Sequence, residues 1–253
     1  MEIQRKSLTQ LFVPICFETL FYMLSGMVDT LMLSSVSDQA VGAVGTANTY
    51  IGVFIIMFGV ISSGMVAVMT QNIGAGKPGV AYQARQLGLI FNAVVGVMMS
   101  VFLAVFSGKI LEIVSIAPAL FTPAETYLKI VGGACFLNAL IPIFSSYLRV
   151  FGYTRQSLFA SITGNIINFI LNSVFLFVMN WGVMGVAIAT VISRVINLIM
   201  VAAMGAVLVK AKNAPERESS RKILGQIIKI GFPVRGERRD LDCLDALARS
   251  LED

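Results

Sequence analysis

Long apolar stretches alternate with short polar breaks along almost the whole chain. The apolar runs extend from about Leu8 to Leu33, Val44 to Ile73, Leu87 to Phe106, Thr126 to Ser146, Leu158 to Met179 and Val183 to Val209, each bounded by Gly, Pro, Ser, Asn or charged residues. A helix of about 20 apolar residues crosses a bilayer core. An open strand edge at that depth would leave backbone donors and acceptors unpaired, so helices are the form these runs can take. The pattern predicts an all-α, polytopic transmembrane bundle of six helices over residues 1–209. The first run exceeds a single crossing and spans with tilt or a bend, for which Pro14 supplies a cause. Arg5 and Lys6 precede it as in a signal peptide, but the run is too long for one and carries Glu18 and Asp29.

Behind the sixth run the pattern changes. Residues 210–226 open with KAKNAPERESSRK, polar and rich in both signs, and read as a solvated linker. The segment IIKIGFPVRGE at 227–237 then restates LTQLFVPICFE at 8–18: Pro14 is followed by Glu18, and Pro233 by Glu237 at the same spacing. Because six is even, a second copy would enter from the side where the first helix entered, which implies a parallel repeat related by an axis along the membrane normal. From Arg235 the sequence RGERRDLDCLDALARSLED is too charged to span. Residues 227–253 thus read as the aborted start of a second lobe with a charged tail, in which Leu241, Leu244, Leu247 and Leu251 share one helical stripe.

Composition narrows the function. Hydrophobic residues make up 57% of the 253 and charged ones 13%, with a mean hydropathy of +0.82, which sets lipid as the solvent. The chain has no histidine, which excludes Ser-His-Asp, Cys-His and HExxH chemistry, and its three cysteines have no C-x-x-C spacing. No enzyme activity, metal or cofactor is expected. The net charge of +5 sits in connectors and not on an aromatic-studded face, which points away from nucleic acid. Arg5, Lys6, Lys77, Arg85, Arg149 and Arg155 fall on one side of the predicted topology, while the other side carries SSVSDQA, GKILEIVSIAPALF and the NWG turn with Lys109 beside Glu112. Basic connectors stay inside, so the amino terminus is expected on the cytoplasmic side of the cell (cytoplasmic) membrane.

Polar groups at membrane depth carry the functional signal. Asp29, in GMVDTLML, would cost about 2.5 to 3.5 kcal/mol at a helix centre. Either it lies near the outer interface facing water, or it faces inward and binds a proton or cation in a partly desolvated cavity. Glu18 sits one turn after Pro14 and reads as a structural partner of the bend. Asn165, Asn168 and Asn172 recur at i, i+3 and i+7, on one face of helix five, either as interhelical hydrogen bonds or as the lining of a cavity. Thr190 and Arg194 are one turn apart on helix six, and Arg194 either enters the bundle or snorkels to an interface. Gly45, Gly52 and Gly59 recur every seven residues and read as a close-packing seam. GAGKPG is no phosphate loop, since Gln71 and Pro78 stand where glycine and Ser or Thr are needed.

Taken in order, Pro14, the VDT of residues 28–30, QNIGAGKPG, YLRVFGYTRQ, GNIINFILN and GVMGVAIATVISR resemble the amino-terminal half of a bacterial MATE (multidrug and toxic compound extrusion) transporter. The resemblance covers roughly residues 8–234, half of the family's twelve-helix architecture. It implies an antiporter that exports organic, often cationic, drug-like compounds in exchange for H+ or Na+ by alternating access between two six-helix lobes. It also implies a cation- and substrate-binding role for Asp29, Asn165, Asn168, Asn172 and Thr190, and a bend at Pro14 and Glu18. The family often has an aspartate at the position of Asn172, which leaves Asp29 as the main titratable group here. A half-length chain is expected to be inactive, or to pair with a second copy in a homodimer. A lipid-linked sugar flippase and a non-transporting membrane fragment are the alternative readings.

Overall fold

The computed structural model describes residues 8–209 and 218–231; Arg5, Lys6, Pro233, Glu237 and the leucines of the charged tail lie outside the described residues, as does the side chain of Pro14. Eight α-helices are found among those residues: α1 Leu8–Ser34, α2 Asp38–Gly74, α3 Pro78–Ile113, α4 Pro118–Tyr127, α5 Cys135–Val150, α6 Thr154–Ser173, α7 Gly182–Leu208 and α8 Ser220–Gly231. Single π turns follow α4 (Leu128–Gly132) and α6 (Val174–Val178). No strand occurs among the described residues.

The helix ends have local causes. Proline opens both α3 and α4, where a missing N–H leaves nothing unsatisfied and the fixed φ suits a first turn. Gly76, at φ +74, turns the chain between α2 and α3 in a conformation that a side chain would strain. The connectors are shorter than the sequence pattern suggests. Charged and polar positions in SSVSDQA and GKILEIVSIAPALF mark helix ends only weakly, and α2 starts at Asp38 while α3 continues to Ile113 and α4 begins at Pro118. Residues placed in connectors by hydropathy thus extend the helices beyond the apolar window.

Four helices are long and apolar enough to cross a membrane, and the pair Pro118–Gly132 and Cys135–Val150, bent by 43°, makes a fifth span. The 27-residue α1 packs along α6 and completes a bundle of six. The bend in the fourth span falls at the π turn and the two residues after it, where the regular hydrogen-bond ladder is interrupted.

Between helices the packing relies on small residues, as expected where lipid and core are equally apolar. A Cβ placed on Gly96 would meet Ala139 and Phe136 of α5, one on Gly88 would meet Met65 of α2, and one on Gly164 would meet Asn197 of α7. The expected seam of Gly45, Gly52 and Gly59 is not among these contacts: a Cβ on any of the three meets nothing within 4 Å. The heptad spacing put them on one face of α2, but the buried faces of this helix are those of Ala43, Ala47, Ile51, Phe58 and Met65. Large apolar side chains such as Ile113, Val178, Ile56 and Val207 point outward, as lipid allows.

The α8 helix crosses the boundary that composition draws at residue 226. Gln83 near the start of α3 donates to the Glu218 carbonyl at 2.8 Å and to Ser220 at 3.2 Å. From there α8 runs antiparallel to α2, burying Ile223 and Ile227, until Gly231 lies against the backbone of Val60. Gly64 lies under the Ile227 carbonyl so closely that a side chain would collide with backbone. The chain therefore descends along the bundle after the linker, in the direction a seventh span would take.

Candidate functional site

Asp29 lies in the last third of α1, half-buried, and turned toward α6. The Asn172 amide donates to its Oδ1 at 2.8 Å. Asn168, one turn earlier on α6, has two chemically distinct settings. In one its oxygen accepts from Asn172 Nδ2 at 3.3 Å. Turned by 180°, its nitrogen donates to Asp29 at 3.1 Å (Oδ1) and 3.2 Å (Oδ2). An ionised carboxylate only accepts, so it matches the second setting, whereas a protonated one carries an O–H that the Asn168 oxygen can receive. Both asparagines are buried, at 5% and 1% exposure.

Two further helices complete the surroundings. Tyr127, the last residue of α4, is buried and its hydroxyl interacts with the side chains of Asn48 on α2 and Thr190 on α7. Thr190 also donates to the Val186 carbonyl at 2.8 Å, the usual turn-to-turn bond of a buried helical threonine. Arg194, one turn on from Thr190, points into the bundle and does not snorkel: its Nη1 is buried with no hydrogen-bond partner among the described residues. The π turns at Leu128–Gly132 and Val174–Val178 begin directly after Tyr127 and just after Asn172. Such turns put side chains off the regular helical register, and they recur near functional sites.

The structure thus brings Asp29, Asn168, Asn172 and Thr190 into one neighbourhood and adds Tyr127, Asn48 and Arg194 to it. Asn165 stands apart. Its Nδ2 is buried without a partner, and the α7 residue near its turn of α6 is Asn197, packed on Gly164. Glu18 stands apart as well, pairing across helices with Arg149 of α5 at 3.6 Å. The sequence marks Arg194 as a charge inside a span, but no spacing rule relates it to an acid on α1. Tyr127 carries no sequence signal beyond its place in the fourth run. No group of three or more metal-ligating side chains occurs among the described residues.

An acid hydrogen-bonded by amides inside a lipid-spanning bundle has the chemistry to hold or release a proton. Known proteins share the helical architecture. The MatE family model matches residues 14–174. The uncharacterized transporter YisQ of Bacillus subtilis is 33% identical over 92% of this chain and 52% of its own length. The probable multidrug resistance protein NorM of Thermotoga maritima is 29% identical over 90% of this chain and 50% of its own. A solved outward-facing multidrug resistance MATE transporter of the MOP superfamily superposes with a TM-score of 0.79 at 21% identity, over 89% of this chain and 51% of that one. The chain spans about half the length of the curated relatives it matches. With the family model covering most of its length and the fold agreeing over the same span, this chain belongs to the MATE family of membrane transporters.

Proposed function

We propose that this six-helix lobe is the cation-coupling half of an efflux antiporter for small, drug-like organic compounds. Asp29 is its exchanging acid, and Asn168, Asn172 and Thr190 hold it in place. The observation that carries the reading is the Asn172 to Asp29 hydrogen bond inside the bundle, with Asn168 able to present either its nitrogen or its oxygen to the same carboxyl. Relatives named as multidrug resistance proteins, such as that of Thermotoga maritima, support the substrate class. Cation entry would draw about 2.3 kcal/mol per charge per 100 mV of membrane potential, in addition to any concentration gradient.

Alternating access sets one lobe rocking against another about a central site. The transporting unit therefore contains a second, like-oriented lobe opposite this one, from a second copy of the chain or from a further six helices. The lobe sits in a bacterial cytoplasmic membrane with its amino terminus inside, in keeping with the basic residues at the α2–α3 and α5–α6 connections.

The test is efflux of a fluorescent organic cation from cells stripped of their own multidrug pumps, expressing the chain or its Asp29→Asn variant, with membrane crosslinking to score pairing. Efflux that disappears with Asp29→Asn, in crosslinked pairs, is the expected result. Efflux that survives this substitution removes Asp29 from the mechanism, and a strictly monomeric chain that exports drug removes the need for a second lobe.

A further inference from the structure

Arg85 stands in the third turn of α3 and reaches α5, where its guanidinium carbon lies 4.6 Å from the ring centre of Tyr147 and 4.9 Å from that of Phe144. The ring of Tyr82, one turn earlier on α3, is 5.7 Å away. Three ring faces attract the cation and hold its long side chain in one place, but they offer no lone pair to an N–H. The carboxylates at this end of the bundle already have cations of their own, Glu18 with Arg149 and Glu218 with Lys77 and Lys222. None of them pairs with Arg85 among the described residues, and its Nε is buried without an acceptor. Arg85 as a whole is only partly buried, and its two terminal nitrogens are not shut in with Nε. The chain therefore fixes a guanidinium in position and leaves its outer N–H edge unserved.

Depth indicates what can meet that edge. The 36 residues of α3 make about 54 Å of helix, against a hydrocarbon core of about 30 Å, so a centred span overhangs the core by about 12 Å at each end. Arg85 lies about 10 Å along the axis from Pro78, the first residue of the helix. That is the level of the lipid headgroups. The side is the one that the basic α2–α3 and α5–α6 connections assign to the cytoplasm, whose leaflet carries the anionic lipids.

We infer that Arg85, held by Tyr82, Phe144 and Tyr147, is a binding site for the phosphate of an anionic phospholipid headgroup. A phosphate oxyanion accepts two parallel N–H bonds from one guanidinium edge, a match that an ammonium group cannot make. A lipid with no cation in its own headgroup brings the negative charge that Arg85 lacks, whereas phosphatidylcholine brings a quaternary ammonium with its phosphate. The bound lipid would sit at the seam of α3 and α5, away from the Asp29 cluster on α1 and α6.

Native mass spectrometry of the purified full chain in detergent micelles tests this, with titrations of phosphatidylglycerol, phosphatidylcholine and inorganic phosphate. The first phosphatidylglycerol is expected to bind at least about tenfold more tightly than phosphatidylcholine, and inorganic phosphate is expected not to displace it. Arg85→Gln should lose about tenfold in phosphatidylglycerol affinity, the equivalent of one hydrogen bond to a charged group. Arg85→Lys, which keeps the charge without the fork, should lose less. Lys77→Gln, which removes a half-exposed cation at the same end, should lose nothing. A wild type that binds the two lipids alike overturns the inference even if no Arg85 variant folds, and so does a folded Arg85→Gln with undiminished affinity. An equal loss in Lys77→Gln would reduce the site to a diffuse basic surface, and displacement by inorganic phosphate would assign it to a soluble anion; either result overturns the lipid site.

Discussion

Inside the bundle, Asp29 and Arg194 sit among the amides and hydroxyls of α2, α4, α6 and α7 without an ion pair closer than 4 Å to each other among the described contacts. At the end where α8 packs, charges meet directly: Glu18 with Arg149 at 3.6 Å, Glu218 with Lys77 at 3.7 Å and with Lys222 at 2.9 Å. Arg85 at that end is met by rings, its guanidinium 4.6 Å from the centre of Tyr147 and 4.9 Å from that of Phe144. The difference follows from the solvent. Near the bundle end water shares the burden, so a pair of opposite charges or an aromatic face suffices. At depth the charge is spread over several neutral dipoles, each able to reorient, which lets its state change without breaking the bundle.

The contrast can be broken most forcefully at its centre. Asp29→Leu leaves the buried amides of Asn168 and Asn172 without their acceptor and is expected to lower stability by about 3 kcal/mol, since each buried donor left unpaired costs about 1–3 kcal/mol. Thermal unfolding in detergent reads this, with Asp29→Asn expected to cost clearly less because it keeps shape and hydrogen bonds. Equal losses in the two variants would mean that the asparagines of α6 do not depend on residue 29 as their acceptor.

A smaller effect is expected where backbone and not charge holds the bundle end together. Gly64→Val drives a side chain into the α8 backbone and is expected to cost about 1–3 kcal/mol, the usual range for overpacking. Amide exchange of residues 220–231 should rise with it, and unchanged exchange would show that α8 is not seated on α2.

Next comes Glu18→Gln, which loosens a partly exposed pair and is expected to change stability by less than about 1 kcal/mol. A loss as large as that of Asp29→Leu would dissolve the distinction between the two regions. The smallest effect belongs to Glu218. Its hydrogen bond and charge contact with Lys222, together with Lys77, hold its carboxyl below the ordinary glutamate value. Because the folded value is the lower one, the contribution is present above the free glutamate value of about 4.3 and is lost as pH falls through the folded value. Protection of α8 should therefore decline slightly in mildly acidic solution below about pH 4, and this decline should be absent in Glu218→Gln.

Much of the candidate site is legible along the chain because membrane depth makes polar residues conspicuous. Asp29 stands out within an apolar run, and the spacing of Asn168 and Asn172 already puts them on one face of one helix. What the spacing could not do was separate Asn165 from that pair, since a face of α6 turns toward α1 at one level and toward Asn197 of α7 at another. Heptad spacing likewise grouped Gly45, Gly52 and Gly59 without saying which side of α2 meets a neighbour. Tyr127 is the last residue of α4, just before the π turn and the bend of the fourth span, and neither feature has a periodic signature.

By itself the sequence determines the solvent, the helical class and the approximate spans, because each depends only on local hydropathy and on the need to pair backbone groups within the segment. It also determines which residues are expensive at depth. Which of those residues compensate one another was decided by tertiary packing: Asp29 of α1 meets Asn168 and Asn172 of α6, and Glu18 of α1 meets Arg149 of α5, and no interaction within a single helix can set those positions. The descent of α8 along α2 was decided the same way, by the close backbone approach at Gly64 and Gly231, which only assembly of the bundle creates.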